Sequence, residues 1–487
     1  MIKEHIKKIF SHSLIYGVGN VINRLLGFFL LPVYTHYFAP SEFGVYSLVY
    51  AFWFFAAVFY LYGMETSFQK FCVEAKTIEE RRNYYSSTIL LIFITSVCFS
   101  LLIFSLSGVF SKLLTGNEGY YYLIRLLAIL MVADALSRFN MILLNAEQRS
   151  KVYTYINISG VIVNIFFNIF FIIILHYGIE SIFYSFIISY TYIFLISFLF
   201  CIKYFHFKIS NDKLSILTGF GFKFILYGIF MISLDFIDRF FLGYYKGEAE
   251  VGIYSACYRI GMVMNLLISG FRTAWIPFFL NLKDEENNKQ IFSKIFSLFF
   301  YTGLLVFLVV SLFGNEIVRF RIGNFSVLDK AYWGGMIILP YILFSYLIFG
   351  LYTNIYVASY YSNKIGYLII SSAVGCFSNV ILNIILIPRY SLYGAAISTM
   401  ISYILMFSTL YYFSQKIYFI KYEWKRISMA FILTLFLYLF NSYFFQIMNI
   451  ANISYSIVYM FKVLSILILI IVLWQSKWLK ISGEISY

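Results

Sequence analysis

The sequence predicts an all-α polytopic membrane protein of about 14 transmembrane helices, built as two six-helix lobes related by a pseudo-twofold axis along the membrane normal plus a C-terminal helix pair. Three observations carry that expectation: long apolar segments recur along the whole chain, its basic residues alternate from one connection to the next, and its second half repeats its first.

Of 487 residues, 62% are hydrophobic and 12% charged, with mean hydropathy +0.83. A soluble domain carries about 25% charge, so a water-soluble enzyme is excluded. The net charge of +14 does not indicate nucleic acid, because the basic residues lie in short connections where membrane orientation accounts for them. Five cysteines stand singly, without ligand or disulfide spacing, so no metal site is expected.

A crossing helix needs about 20 apolar residues. By length and polar breaks the spans fall at 13–38, 43–68, 87–110, 120–145, 153–175, 179–202, 217–243, 252–280, 291–313, 333–358, 363–387, 393–414, 427–446 and 455–475. The first follows the basic stretch MIKEHIKKIFSHS, contains Asn20, Asn23 and Arg24, and lacks a small-residue cleavage site, so it reads as a retained helix. Lys3, Lys7 and Lys8 begin a series that continues on every second connection: Lys70 to Arg82, Arg149 and Lys151, Lys203 to Lys213, Lys283 to Lys294, Lys364, Lys416 to Arg426, then Lys477 and Lys480. The alternate connections hold only Lys112, Lys246, Arg319, Arg321, Lys330 and Arg389. The positive-inside rule then places both termini in the cytoplasm. No connection is long enough for an extramembrane catalytic domain, and no catalytic residue is assigned.

The repeat aligns GVIVNIFFNIFFI (160–172) with GCFSNVILNIILI (375–387), FGVYSLVY (43–50) with VGIYSACY (251–258), and YGMETSF (62–68) with SGFRTAW (269–275). The spacing covers an even number of spans, so the copies are parallel, as in two-lobed transporters whose substrate lies between rocking halves. Residues 1–208 form the N-lobe, 209–416 the C-lobe, and 417–487 the extra pair and tail.

Ionisable groups inside spans are costly and point to function. Arg125, Lys223 and Lys462 lie near span ends and are expected to snorkel. Deeper lie Arg24, Arg138, Arg239, Arg259 and Arg272, against the acids Glu65, Asp134, Asp235 and Asp238. Asp134 with Arg138, and Asp235 with Arg239, are four apart and share a helix face. One of Asp235 and Asp238 then has spare charge, available to a gate or to a coupling ion, H+ or Na+. Glu65 occupies the repeat position of Arg272, so the two are candidates for a gate between lobes. Asn20 shares a face with Arg24, and Asn265 with Arg272, making Asn20, Asn23 and Asn265 candidate cavity-lining polar residues; Arg259 and Arg272 are about 140° apart on a straight helix. Both can face one cavity only if the helix bends, for which Gly261 or Gly270 would serve. Asn164 with Asn168, and Asn379 with Asn383, are expected to bond across helices.

The stretches GNVINRLLGFFLLPVYTHYFAPSEFGVYS (19–47) and LLNAEQRSKVYTYINISG (143–160), with the paired GxxxNxxxN segments, resemble the polysaccharide-flippase branch of the multidrug/oligosaccharidyl-lipid/polysaccharide (MOP) exporters, the Wzx-type O-antigen flippases, over essentially the whole chain. RLLGFF and YSACYRIG are also similar, more distantly, to segments of the lipid II flippase MurJ. That likeness implies that Arg24 and Arg259, with Arg272 a third candidate, contact a lipid-linked pyrophosphate. The basic pair of that family's second helix falls at Ala57 and Val58 here, which points to a related polyprenyl-linked substrate in place of lipid II. The resemblance implies a flippase for an undecaprenyl-pyrophosphate-linked glycan, moved from the cytoplasmic to the outer leaflet of a bacterial inner membrane for lipopolysaccharide or other surface polysaccharide biosynthesis. Such a protein is expected to be a monomer needing no cofactor, in contact with membrane lipid and with polysaccharide polymerase and chain-length machinery. No GxxxxGK[ST] motif is present, so an ion gradient or consumption of the product would drive it. The alternatives are a cation-coupled multidrug exporter, which favours acids over arginines, and a membrane polymerase or ligase, for which Arg319, Arg321 and Asp329 are the available external charges.

Overall fold

In lipid a backbone can satisfy its amides only within a helix or a closed barrel, and this chain takes the helical solution almost throughout. The computed structural model describes residues 28–281, 286–323, 325–362, 364–450 and 455–475; Asn20, Asn23 and Arg24 lie outside them. The helices are α1 Leu31–Tyr37, α2 Pro40–Leu61, α3 Met64–Glu74, α4 Ile78–Ser105, α5 Ser107–Thr115, α6 Tyr121–Ala146, α7 Ser150–Ile169, α8 Glu180–Cys201, α9 Asn211–Gly221, α10 Ile225–Lys246, α11 Glu248–Gly261, α12 Val263–Asn281, α13 Glu286–Arg319, α14 Leu339–Asn354, α15 Tyr356–Tyr361, α16 Gly366–Ile417, α17 Trp424–Ile450 and α18 Tyr455–Gln475. Among the described residues, 11 helices are long and apolar enough to cross a membrane, and one bent pair passes the same test together. Every expected span after the first overlaps one of these segments.

The 52-residue α16 covers two expected spans. Straight, it would run about 78 Å, more than twice a bilayer's hydrocarbon core. Instead it breaks after Pro388 at Ser391, which has φ 48°. The chain folds back so tightly that a Cβ on Gly394 would lie 2.4 Å from the Leu386 carbonyl oxygen.

The expected span 43–68 is likewise not continuous. Tyr62 and Gly63 have φ 30° and 76°, ending α2 and starting α3. A Cβ on Gly63 would fall 2.0 Å from the Gly221 carbonyl oxygen, so only glycine permits this approach. Glu65 therefore sits in the first turn of α3, where its carboxylate favours the helix N-terminus.

The chain packs into two units. The first holds the residues through Ala256 with Leu328–Tyr332 and Cys376–Ser398; the second holds Cys257–Val327, Trp333–Gly375 and Thr399 onward. These bounds reflect packing and differ from the lobes drawn from the repeat, which reflect sequence similarity. In the first unit α6 is central, buried on Leu123, Leu127, Met131 and Leu144, with α2, α4 and α8 around it. In the second, α13 packs on α14 and α17, and α17 on α18.

The repeat is visible in matching bonds. Asn168 Nδ2 donates to Asn164 Oδ1 at 3.0 Å, and Asn383 Nδ2 to Asn379 Oδ1 at 2.9 Å, so each pair bonds within its own helix where bonds across helices were expected. All four asparagines are buried. Tyr34 donates to Asn168 Oδ1 at 2.9 Å, tying α1 to α7.

Lys462 departs from expectation. It does not snorkel: it is buried, and its Nζ lies 2.6 Å from Glu316 Oε1. The partner carboxylate on α13 removes the reason for the ammonium to seek the interface.

Candidate functional site

Three charged residues meet beside α6 in the first unit. Arg138 donates from Nε to Asp134 Oδ1 at 2.7 Å and from NH2 to Asp134 Oδ2 at 3.1 Å, the bidentate fork to be expected of an i,i+4 pair. Its NH1 reaches Glu65 Oε1 on α3 at 3.4 Å. Trp53 on α2 donates to Asp134 Oδ2 at 3.0 Å. Asp134 is buried, whereas the Arg138 and Glu65 side chains are 32% and 38% exposed. The cluster thus presents a partly open guanidinium and carboxylate, anchored from behind by a buried acid. The partner of Glu65 here is Arg138, in its own unit.

A second cluster lies on α10. Arg239 NH1 donates to Asp238 Oδ1 at 3.0 Å and to the Asp235 carbonyl at 2.6 Å, and Tyr254 donates to Asp238 Oδ2. The guanidinium sits over the Phe236 ring, 5.0 Å from its centroid. Asp238 and Arg239 are buried, and the adjacent Asp238 carboxylate shares the guanidinium with the Asp235 carbonyl.

Aromatic rings join the two clusters. Phe236 stacks on Phe54 at 4.7 Å, Tyr50 meets Trp53 at 5.7 Å edge-on, and Trp53 meets Tyr190 at 5.5 Å. Tyr50, Phe54, Phe186 and Tyr190 are only half-buried. Trp53, Tyr190 and Tyr254 gave no signal in the sequence, because their partnerships join separate helices in a chain rich in aromatic residues. In the first cluster two acids, Glu65 and Asp134, meet one base, whereas in the second Arg239 is held by the Asp238 carboxylate and the Asp235 main-chain carbonyl.

Arg259 and Arg272, the other deep arginines among the described residues, flank a bend. Glu248–Gly261 and Val263–Trp275 meet at 45°, at the glycine expected to permit it. A Cβ on Gly261 would lie 2.6 Å from Ile342 Cγ2, so the bend also seats the segment against α14. Arg259 and Asn265 are half-buried and Arg272 is exposed. Among the described residues no group of His, Cys, Asp and Glu could hold a metal ion.

One end of the first unit is sealed. A Cβ on Gly44 would lie 1.8 Å from the Glu248 carbonyl oxygen, and a Cβ on Gly252 would lie 1.9 Å from that of Pro40. Pro40 and Gly44 are the repeat equivalents of Glu248 and Gly252, so α2 and α11 cross by a reciprocal, pseudo-twofold contact. Tyr332 donates to the Phe38 carbonyl at 2.7 Å, Ser391 to Glu250 at 2.8 Å, and Lys246 to the Pro388 carbonyl at 2.9 Å, closing the same end.

A family model described as polysaccharide biosynthesis protein matches residues 9–283, more than half of the chain. The chain belongs to this family. Its fold is similar to that of the lipid II flippase MurJ in an inward closed conformation, at 17% identity and TM-score 0.74 over 95% of this chain and 99% of that one. It is also similar to a multidrug resistance MATE transporter of the MOP superfamily, in an inward-facing conformation at 14% identity and TM-score 0.63 (84% and 98% covered) and in an outward-facing one at 16% and 0.59 (87% and 96%). No curated protein matches the sequence. This member of the polysaccharide biosynthesis family is a multi-pass membrane protein with the MOP fold.

Proposed function

We propose that this protein is a flippase that carries an undecaprenyl-pyrophosphate-linked oligosaccharide from the cytoplasmic to the outer leaflet of the bacterial inner membrane by alternating access. The observation that carries this reading is membership of a polysaccharide biosynthesis family by a chain whose fold is that of MOP transporters. A sugar-bearing pyrophosphate cannot cross hydrocarbon unaided, so its carrier needs cations for the phosphates and a surface for sugars. Arg24, Arg259 and Arg272 fit the first need, since guanidinium gives permanent, bidentate donors. The half-buried aromatics from Tyr50 to Tyr190 fit the second. Asp134 and Asp238 hold Arg138 and Arg239, so those two arginines are assigned to the clusters and not to the phosphate.

Glu65, Asp235, Asp238 and Arg239 are the groups proposed for gating or for coupling to H+ or Na+. With both termini cytoplasmic, the sealed end at Gly44 and Gly252 faces outward, which supports a state closed to the outside. A second reading, a cation-coupled exporter of the same fold, draws on the two acids that share Arg138 in the first cluster. A strain lacking the gene decides between them. The flippase reading expects loss of surface polysaccharide, restored by the wild-type gene; unchanged polysaccharide with no paralogue present contradicts it.

A further inference from the structure

The second unit contains a cavity of ≈ 360 Å³ between the Arg319 end of α13, residues 333–340, α17 and α18. That volume falls in the range of about 300 to 1,000 Å³ found for small-molecule sites. Its polar lining is Ser311, Asn315, Glu316, Asn441, Ser442 and Lys462, and Trp333 and Tyr438 add aromatic surface. Glu316 Oε1 takes the buried Lys462 at 2.6 Å, while Glu316 Oε2 is itself buried and has no hydrogen-bond partner among the described residues. Asn441 Nδ2 donates to Ser465 at 2.7 Å and to the Leu437 carbonyl at 2.8 Å, which fixes α17 against α18 behind the cavity.

The lining selects a chemical class. Within the lining the lysine offsets the glutamate, so there is no acid excess to draw a metal cation, and the nearby guanidinium of Arg319 is stacked on the Trp333 ring, 4.6 Å from its centroid. A greasy ligand would leave the Glu316 oxygen without a donor, and such a group is costly to bury unpaired. A neutral polyol meets both conditions, because its hydroxyls donate to the carboxylate and exchange bonds with the amide and the serines, while its C–H face packs on an aromatic ring. We propose that this cavity is a binding subsite for one hydroxyl-rich sugar ring of the transported glycan. The source of the sugar rests on the flippase reading; the chemistry of the cavity does not.

The test uses the full-length protein in lipid nanodiscs and saturation-transfer NMR with glucose, galactose, mannose and N-acetylglucosamine as separate probes. At least one probe is expected to receive saturation, to lose it several-fold in Asn315→Ala and Trp333→Ala, and to keep it when inorganic phosphate is added. Ser442→Ala, at an exposed position, gives a milder loss in a protein whose folding the change does not challenge. Saturation of no probe, equal transfer in wild type and all three variants, or displacement by phosphate overturns the subsite. Surface polysaccharide in the deletion strain is read separately. If it depends on the protein while no sugar binds, the subsite alone falls; if it does not depend on the protein while cavity-dependent binding persists, the subsite stands and the transport reading falls.

Discussion

At the residue scale, Asp134 is the keystone of the first cluster, since it accepts from Arg138 twice and from Trp53. Removing one partner of a buried ion pair costs about 3 to 5 kcal/mol, largely because the other charge is left behind. Asp134→Ala is therefore expected to lower thermal stability in detergent strongly, and Asp134→Ala with Arg138→Leu to recover part of the loss. Additive losses would show that the two residues act independently. The asparagine pairs give a second, quantitative case. Hydrogen bonds between side chains inside membrane proteins average about 0.6 kcal/mol and reach about 1.7, so Asn164→Ala and Asn379→Ala should each cost that much. Unequal losses, measured by unfolding in the same detergent, would separate the two copies energetically. The Asp134 and Arg138 pair was legible because i,i+4 spacing is local. The contacts of Glu65 and Trp53 with α6 were not, since each reaches it across more than 70 residues of chain.

At the element scale, the spans were legible from apolar length and the alternation of charge, as was the break at Ser391, whereas the break at Tyr62 and Gly63 was not. Tyr62 with Gly63 interrupts an apolar run without any polar signal, and what fixes it is the close passage of the Gly221 backbone; Ser391 falls in the connection between two expected spans, beside Pro388 and Arg389. A bend at Gly261 or Gly270 was expected if Arg259 and Arg272 were to face one cavity, and the structure bends beside Gly261. The crossing of α2 and α11 yields a prediction at this scale. A side chain at Gly44 or Gly252 cannot fit while the helices touch, so Gly44→Leu and Gly252→Leu should each open the sealed end. Thr35→Cys reports it, because Thr35 is buried and its hydroxyl accepts from the Asp329 amide at 3.2 Å. In a background lacking the native cysteines, a membrane-impermeant maleimide should label Thr35→Cys faster when either leucine is present. Equal labelling rates would mean that the contact does not hold this end shut.

At the scale of the whole molecule, the sequence carried the lobed, parallel repeat, and matching asparagine bonds and reciprocal glycine contacts reproduce it in three dimensions. Arg24 precedes the described residues, so its role rests on chemistry. Transport is expected to fall at least about tenfold in Arg24→Ala and to persist in part in Arg24→Lys, which keeps the charge and loses the planar fork. Full activity in the alanine variant would make Arg24 a packing residue. The central claim is movement of a lipid-linked sugar across a bilayer, and reconstitution tests it most directly. Purified protein is placed in liposomes carrying a polyprenyl-pyrophosphate-linked oligosaccharide, and a membrane-impermeant glycosidase attacks the outer leaflet. The account predicts protein-dependent cleavage of the pool that empty liposomes protect; an identical protected pool in both preparations would contradict it.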